Sequence, residues 1–292
     1  MLVFQPAAAF RDLAPVIVTS PTTRCGTTLV QRLLNASLNS MVYGEEIGLQ
    51  MGVLTDWFVG ILEQLESVGA ATDADFDNAL HNRTVDWRPG LLPPSDVLLK
   101  AWTSTYFQIP SHLSTFGESI GRPIWGFKKP GFTLSMLKAF RALMPGAKVV
   151  YLVRNPLHAL ASAKARLFVR THEDVVRFAQ DWATNVSEVL VDYSGPHLLL
   201  MSYERLESDL DGAIERIAGF TGAVGIDPEV ARAKVNTFLG DVKDGHSPTQ
   251  YIAPARLTSN EIRTVELIAG PVMSAVYSRE PQAPAAGTAS GS

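Results

Sequence analysis

The run 148-KVVYLVRNP-156 constrains the fold more than any other stretch of this chain. Val149 to Val153 are apolar without a polar residue between them. Such a run suits a short strand covered on both faces, as in a parallel sheet. It stops on a cation, Arg154, and Asn155-Pro156 then supplies a helix start with proline in the first turn. Val16 to Val18, 123-PIWGFKKPG-131 and 197-HLLLMSYE-204 repeat the arrangement: a short apolar run, then polar or charged residues, then a helical pattern. Strands alternating with helices predict an α/β fold, a parallel sheet flanked by helices. In such a sheet ligands sit at the carboxyl ends of the strands, where each of these polar groups falls.

The helices are read from their spacing. Leu49, Val53, Trp57, Ile61 and Leu65 recur at helical intervals, as do residues within Asp73 to Leu80 and Val97 to Phe107. The breaker-rich 86-DWRPGLLPPS-95 separates them. Residues 47–122 therefore read as a helical insertion or lid without strands of its own. Further helices are expected at 133–143, 157–168, about 172–193, 208–221, 227–239 and 259–278. The tail 280-EPQAPAAGTASGS-292 has a disordered composition. One domain over residues 1–280 is expected, with a disordered tail at 281–292.

Composition narrows the function. Net charge is −4 and the pI near 5.9, so no bulk field draws this chain to nucleic acid or to an anionic membrane. The single cysteine, Cys25, excludes an intrachain disulfide and suits a reducing cytoplasm. The first residues, MLVFQPAAAFRDLAP, lack a basic start and a full apolar segment. No apolar run reaches the roughly 18 residues of a membrane span. The histidines have no metal-ligand spacing. A cytoplasmic enzyme without a metal is the expectation.

Two stretches carry chemistry. In 21-PTTRCGTT-28, Gly26 permits close backbone approach, Thr27 and Thr28 bring amides and hydroxyls, and Arg24 adds a charged donor. A strand–loop–helix start of this kind cradles an anion. An ordinary turn capped by Thr27 would use the same residues. In 154-RNPLHALASAKAR-166, Ser162 and Arg166 follow Arg154 by eight and twelve residues, which puts them four apart on one helical face. They could converge with Arg154 on a dianion; a solvated basic face is the alternative. The usual nucleotide loop ends in Gly-Lys-Ser/Thr, and here no lysine follows Gly26. The lysines nearest to another strand end are Lys128 and Lys129.

Together the two stretches resemble the cofactor loops of the sulfotransferases that use 3′-phosphoadenosine 5′-phosphosulfate (PAPS). The resemblance runs through about residues 15–278 and is weak over 50–122. It implies the P-loop-kinase-like sulfotransferase fold. It places the 5′-phosphosulfate on Arg24, Cys25, Gly26, Thr27 and Thr28, and the 3′-phosphate on Arg154 and Ser162, with Arg166 beside them. Cys25 stands where relatives carry serine. Lys128, in 126-GFKKPGFTL-134, is similar to the catalytic lysine of the bacterial and protein-tyrosine members. The segment 43-YGEEIG-48 resembles the Gly-Glu-Glu of the protein-tyrosine members, whose second carboxylate is the base; that position is Glu46. The interval from Arg24 is one residue longer than expected, so Glu45 stays open. Tyr203-Glu204 resembles the pair flanking the cofactor. The stretch 247-SPTQYIAP-254 resembles the segment that closes over the nucleotide, with Ser247 at the reacting sulfate and Gln250 beside it. Arg256 stands in for a basic residue missing at Ala253. The implied reaction is sulfuryl transfer from PAPS to a hydroxyl of a small-molecule or peptide-like acceptor, a phenol among the candidates. Trp57, Phe58, Trp87, Trp102, Tyr106 and Phe107 either line that acceptor site or pack helices. The rivals are a nucleotide-binding module without catalysis and an ATP-dependent kinase of related fold.

Overall fold

The computed structural model describes residues 10, 12–83, 91–192, 195–232 and 252–279. Five parallel strands form one sheet in the order β2-β3-β1-β4-β5. They are β1 (Val16–Thr19), β2 (Ser40–Tyr43), β3 (Ile124–Lys128), β4 (Lys148–Val153) and β5 (Leu198–Ser202). Val16 pairs with Gly126 on one side and with Lys148 on the other, so β1 is central. Alternate side chains leave the sheet on opposite faces. Val16 and Val18 of β1 and Val150 and Leu152 of β4 join one buried layer; Ile17, Val149, Tyr151 and Val153 join the other.

The first layer is covered by α1 (Thr27–Asn35), through Val30, Leu33 and Leu34, and by α8 (Leu210–Thr221), through Ala213 and Ile217. Before α8 lie β5 and the short α7 (Tyr203–Ser208). The second layer is covered by α2 (Glu45–Leu80), α3 (Ser95–Ser119), α4 (Leu134–Leu143), α5 (Pro156–Lys164), α6 (His172–Asp192) and α10 (Ser259–Arg279). The short α9 (Glu229–Arg232) precedes α10. The expected α/β architecture is the one observed, a parallel sheet flanked by helices.

Three local readings change. The strand β2 was not anticipated. It is an edge strand of four residues, and side chains satisfy its outer edge: Asn35 donates to Val42 O (3.0 Å) and accepts from Val42 N (2.6 Å). Arg122 Nη1 gathers the carbonyls of Asn35, Ser37 and Ser40 at 2.8–3.0 Å and closes the turn between α1 and β2. The helical stretches at 49–65 and 73–80 are one helix, α2, with 36 residues. Its Gly48 and Gly52 are points of close packing rather than breaks. The 208–221 helix is split at Asp209, whose side chain caps α8 by accepting from Gly212 N at 3.0 Å. The expectations for the tail and for 233–239 lie outside the described residues.

Trp57, Phe58, Trp102, Tyr106 and Phe107 pack α2 against α3. Phe58 stacks on Tyr106 at 4.9 Å, Trp57 meets Trp102 edge-on at 5.3 Å, and Tyr106 shares a 2.9 Å hydrogen bond with Thr55. Phe58, Tyr106 and Phe107 are fully buried. Trp87 lies outside the described residues. A second aromatic cluster fixes α4 to the sheet: Phe140 meets Phe127 at 5.4 Å and Phe132 at 5.3 Å. Phe140 is fully buried, so Phe140→Ala is expected to cost about 3–5 kcal/mol in urea-induced unfolding. A loss below about 1 kcal/mol would show that the cluster relaxes to fill the cavity.

Candidate active site

All five strands deliver their last residues or following loops to one end of the sheet. After β1, the loop 20–26 turns back on itself. Ser20 Oγ donates to Thr22 O at 2.7 Å. Arg24 has φ +69° and Gly26 φ +96°, both in the left-handed region. Arg24 pays a local strain of about 1–2 kcal/mol for its conformation. Gly26 could not be another residue: a Cβ there would lie 2.3 Å from the Tyr203 ring. Gly26 also begins α1 without a side-chain cap, leaving the first-turn amides of Thr27 and Thr28 directed at the loop. These amides carry the positive end of the helix dipole.

Lys128 ends β3. Its side chain is only 6% exposed, and its ammonium donates to Thr28 Oγ1 at 3.2 Å and to Glu45 Oε1 at 2.5 Å. Glu45 opens α2 immediately after β2. Gly48, one turn later, makes this contact possible, since a Cβ there would lie 2.7 Å from Lys128 O and from Lys129 Cβ. Glu46 is exposed at the next helical position. Lys129 turns the other way: its ammonium lies 5.3 Å from the Phe132 ring centre and donates to Pro130 O.

Arg154 follows β4. Its guanidinium stacks 4.1 Å over the Tyr203 ring and donates to Arg24 O at 3.0 Å. Tyr203 thus lies against both loops, touching Gly26 with one part of its ring and Arg154 with its face. The Tyr203-Glu204 pair opens α7 rather than ending β5. Ser162 of α5 is buried and accepts from Arg24 Nε at 3.3 Å. Arg166 is fully buried below the site, donating to Ser162 O (3.3 Å) and Ile252 O (2.8 Å). Burial first, then the charges of Arg166 and Arg154, push the Arg24 guanidinium down to about 10. Repulsion of this kind is what a bound polyanion relieves.

The structure therefore brings Arg24, Gly26, Thr27, Thr28, Lys128, Arg154, Ser162 and Tyr203 together, with Glu45 on the lysine. Arg166 supports them from beneath. Arg256 is exposed on the stretch before α10. Ser247 and Gln250 lie outside the described residues. The Cys25 thiol turns inward, buried in the second core layer, where it lies 3.7 Å from Thr22 Oγ1 and donates to Thr23 O at 3.8 Å. Among the described residues no group of three or more His, Cys, Asp or Glu side chains could hold a metal ion.

Two contacts escaped the sequence. Trp182 Nε1 donates to Arg154 O at 3.0 Å, and Asn185 Nδ2 to Pro21 O at 2.8 Å. Both residues sit on α6, three apart, so one helix face holds both loops. A tryptophan and an asparagine together on an otherwise apolar face were the only available signal.

This geometry gathers Arg24, Lys128, Arg154 and a helix N-terminus at the strand ends of an α/β sheet, the lysine paired with a carboxylate. The sequence model of the sulfotransferase family matches residues 15–226, and the chain belongs to that family. No curated protein matches it by sequence. Among solved structures it is similar to the sulfotransferase domain of the Synechococcus PCC 7002 olefin synthase, with 18% identity, 91% of this chain and 98% of that one covered, and a TM-score of 0.50. That likeness is one of fold. The sulfotransferase domain of the curacin biosynthetic pathway gives 17% identity, 87% and 96% coverage and a TM-score of 0.47. Retinol dehydratase in a complex with retinol and PAP gives 18%, 94% and 86%, and 0.45. No described helix is long and apolar enough to cross a membrane.

Burial pushes the Cys25 thiol up to about 11. A raised thiol pKa means a stability contribution present below the unfolded value near 9 and lost as pH rises through about 11. Native protein is therefore expected to resist iodoacetamide at pH 8 and to react once unfolded in guanidinium. Rapid alkylation of the native chain would place the thiol at the surface of the loop instead.

Proposed function

We propose that the chain moves the sulfuryl group of PAPS to a hydroxyl of a small-molecule or peptide-like acceptor by in-line displacement. The observation that supports this most directly is the buried Lys128 ammonium, held between Thr28 of the anion loop and the Glu45 carboxylate. Arg24 and the amides of residues 26–28 take the 5′-phosphosulfate. Arg154 and Ser162 take the 3′-phosphate, with Arg166 holding that corner, Tyr203 bracing Arg154, and Ser247, Gln250 and Arg256 contributing from the closing segment.

In this reading the acceptor oxygen attacks sulfur, and the bond from sulfur to the bridging oxygen breaks. Adenosine 3′,5′-bisphosphate leaves, its growing charge met by Lys128, Arg24 and the helix N-terminus. Cationic side chains thus take the part a metal plays in phosphoryl transfer. The proton lost by the acceptor goes to a carboxylate of the Glu45–Glu46 pair. The family resemblance favours Glu46. The 2.5 Å contact with Lys128 and the interval from Arg24 favour Glu45. The exposed Leu49, Val53 and Trp57 lie one, two and three turns along α2 from these carboxylates, which supports an acceptor with an apolar body.

Isothermal calorimetry and a labelled-donor assay test the reading together. Arg154→Ala is expected to weaken adenosine 3′,5′-bisphosphate by about 1.5–3 kcal/mol while hardly changing AMP, as one lost charge-assisted contact requires. Equal weakening of both would remove Arg154 from the 3′-phosphate. Binding of ATP with magnesium in preference to the bisphosphate would favour a kinase.

Lys128→Ala is expected to lower turnover about 10²–10³-fold with little change in bisphosphate affinity, as for loss of a transition-state donor. Lys129→Ala is expected to be mild. Glu45→Gln and Glu46→Gln identify the base, since the true one loses about 10²–10⁴-fold. If neither variant slows transfer, the acceptor is not a hydroxyl that must lose a proton.

A further inference from the structure

The family's sequence model ends at residue 226, but residues beyond it grip the Arg154 loop and α5 at successive points. Tyr277 of α10 donates its hydroxyl to Glu204 Oε2 at 2.8 Å. The other oxygen of Glu204 accepts from Asn155 N at 2.9 Å. Asn155 is the residue after Arg154 and caps α5, accepting from Leu157 N at 2.9 Å. Along α5, Ala161 O accepts from Ala255 N at 2.9 Å. Lys164 donates to both oxygens of Glu261 at 2.6 and 2.9 Å, and Glu261 is only 15% exposed. Arg166 donates to Ile252 O at 2.8 Å. Each of these partners of residues 252–279 lies on the stretch from Arg154 to Arg166, or reaches it through Glu204. His158 also faces the same Glu204 oxygen, at 3.7 Å.

We infer that the 252–279 segment is the positioning element of the 3′-phosphate site, and that it acts through the Tyr277–Glu204–Asn155 chain of hydrogen bonds. This rests on the assignment of Arg154 to the 3′-phosphate. None of Tyr277, Glu204 and Asn155 is given a contact to the nucleotide here; each sets where Arg154 stands. The Asn155 amide is the next backbone donor after Arg154. Fixing it to a carboxylate that is itself held by Tyr277 fixes the φ/ψ path on which the guanidinium projects. Trp182 holds the Arg154 carbonyl. The arginine is thereby pre-organised before the ligand arrives, which reduces the ordering cost of binding.

A purely structural link and a positioning link differ in what they change. Loss of a structural link lowers stability and weakens every nucleotide alike. Loss of a positioning link changes the preference for the 3′-phosphate. The full chain and its Tyr277→Phe, Glu204→Ala and Glu204→Gln variants would be titrated with adenosine 3′,5′-bisphosphate and with AMP by calorimetry, with a urea midpoint for each. Wild type is expected to prefer the bisphosphate. Tyr277→Phe and Glu204→Ala are expected to cut that preference about five- to tenfold, the effect of one lost hydrogen bond, with AMP affinity within about twofold. Glu204→Gln keeps an acceptor for the Asn155 amide and is expected to retain most of the preference. If Tyr277→Phe weakens both nucleotides equally, or leaves the ratio unchanged while wild type keeps its preference, the positioning role is overturned. If wild type shows no preference for the bisphosphate, the 3′-phosphate assignment itself fails, and the inference falls with it.

Discussion

Buried and half-buried cations gathered at one end of the sheet are the constraint on which this structure turns. Arg24, Arg154, Arg166 and Lys128 come to the same end of the sheet, and Arg24 is pushed to about 10 by burial and then by Arg166 and Arg154. A fold that gathers such charges must satisfy each one separately. Lys128 has Glu45 and Thr28. Arg154 has a tyrosine face and a carbonyl. Arg166 has the carbonyls of Ser162 and Ile252. Among the described residues, Glu45 brings a full opposite charge to Lys128. A polyanion entering the site meets donors already oriented, with little left to reorganise.

Those positions depend on two close approaches. At Gly26 the anion loop lies against the Tyr203 ring, and the same ring carries Arg154. One aromatic side chain therefore sets the separation of the two loops. At Gly48 helix α2 presses on the main chain of residues 128–129, and this brings Glu45 to the lysine. Charge is placed by packing at both points. The helix-forming cost of a glycine, about 1 kcal/mol against alanine, is offset at Gly48 by the contact it permits.

The sequence was most legible where chemistry demands particular residue types at fixed intervals. The alternation of apolar runs and helices pointed to the parallel sheet; Arg24, Gly26, Arg154 and Ser162 stood out as candidates by type and interval, and Lys128 through the resemblance to the sulfotransferases. The strand β2 was hidden because its edge is satisfied by Asn35 and Arg122, residues that look unremarkable in a loop. The continuity of α2 was hidden because glycines that pack and glycines that break a helix are the same letter. The choice between Glu45 and Glu46 rested on the resemblance alone, which favours Glu46. Adjacent helical positions point about 100° apart, and which one meets the lysine depends on how α2 leaves β2.

The acceptor side was illegible for a different reason. A donor site made of cations and close glycines violates the ordinary pattern of a core, and the violation is visible. An apolar acceptor surface violates nothing. On α2, Met51 and Phe58 are buried, while Leu49, Val53 and Trp57 are exposed. All five are ordinary core residues by type. Only the direction in which the helix packs separates them, and that direction is set by Gly48 and Gly52, both of which are buried where α2 approaches β3 and Phe132. The face of α2 opposite those glycines is consequently free of the core and begins at the carboxylates beside Lys128. In the proposed reading, recognition of the acceptor changes by substitution of exposed residues along this helix while the cations assigned to the donor stay in place.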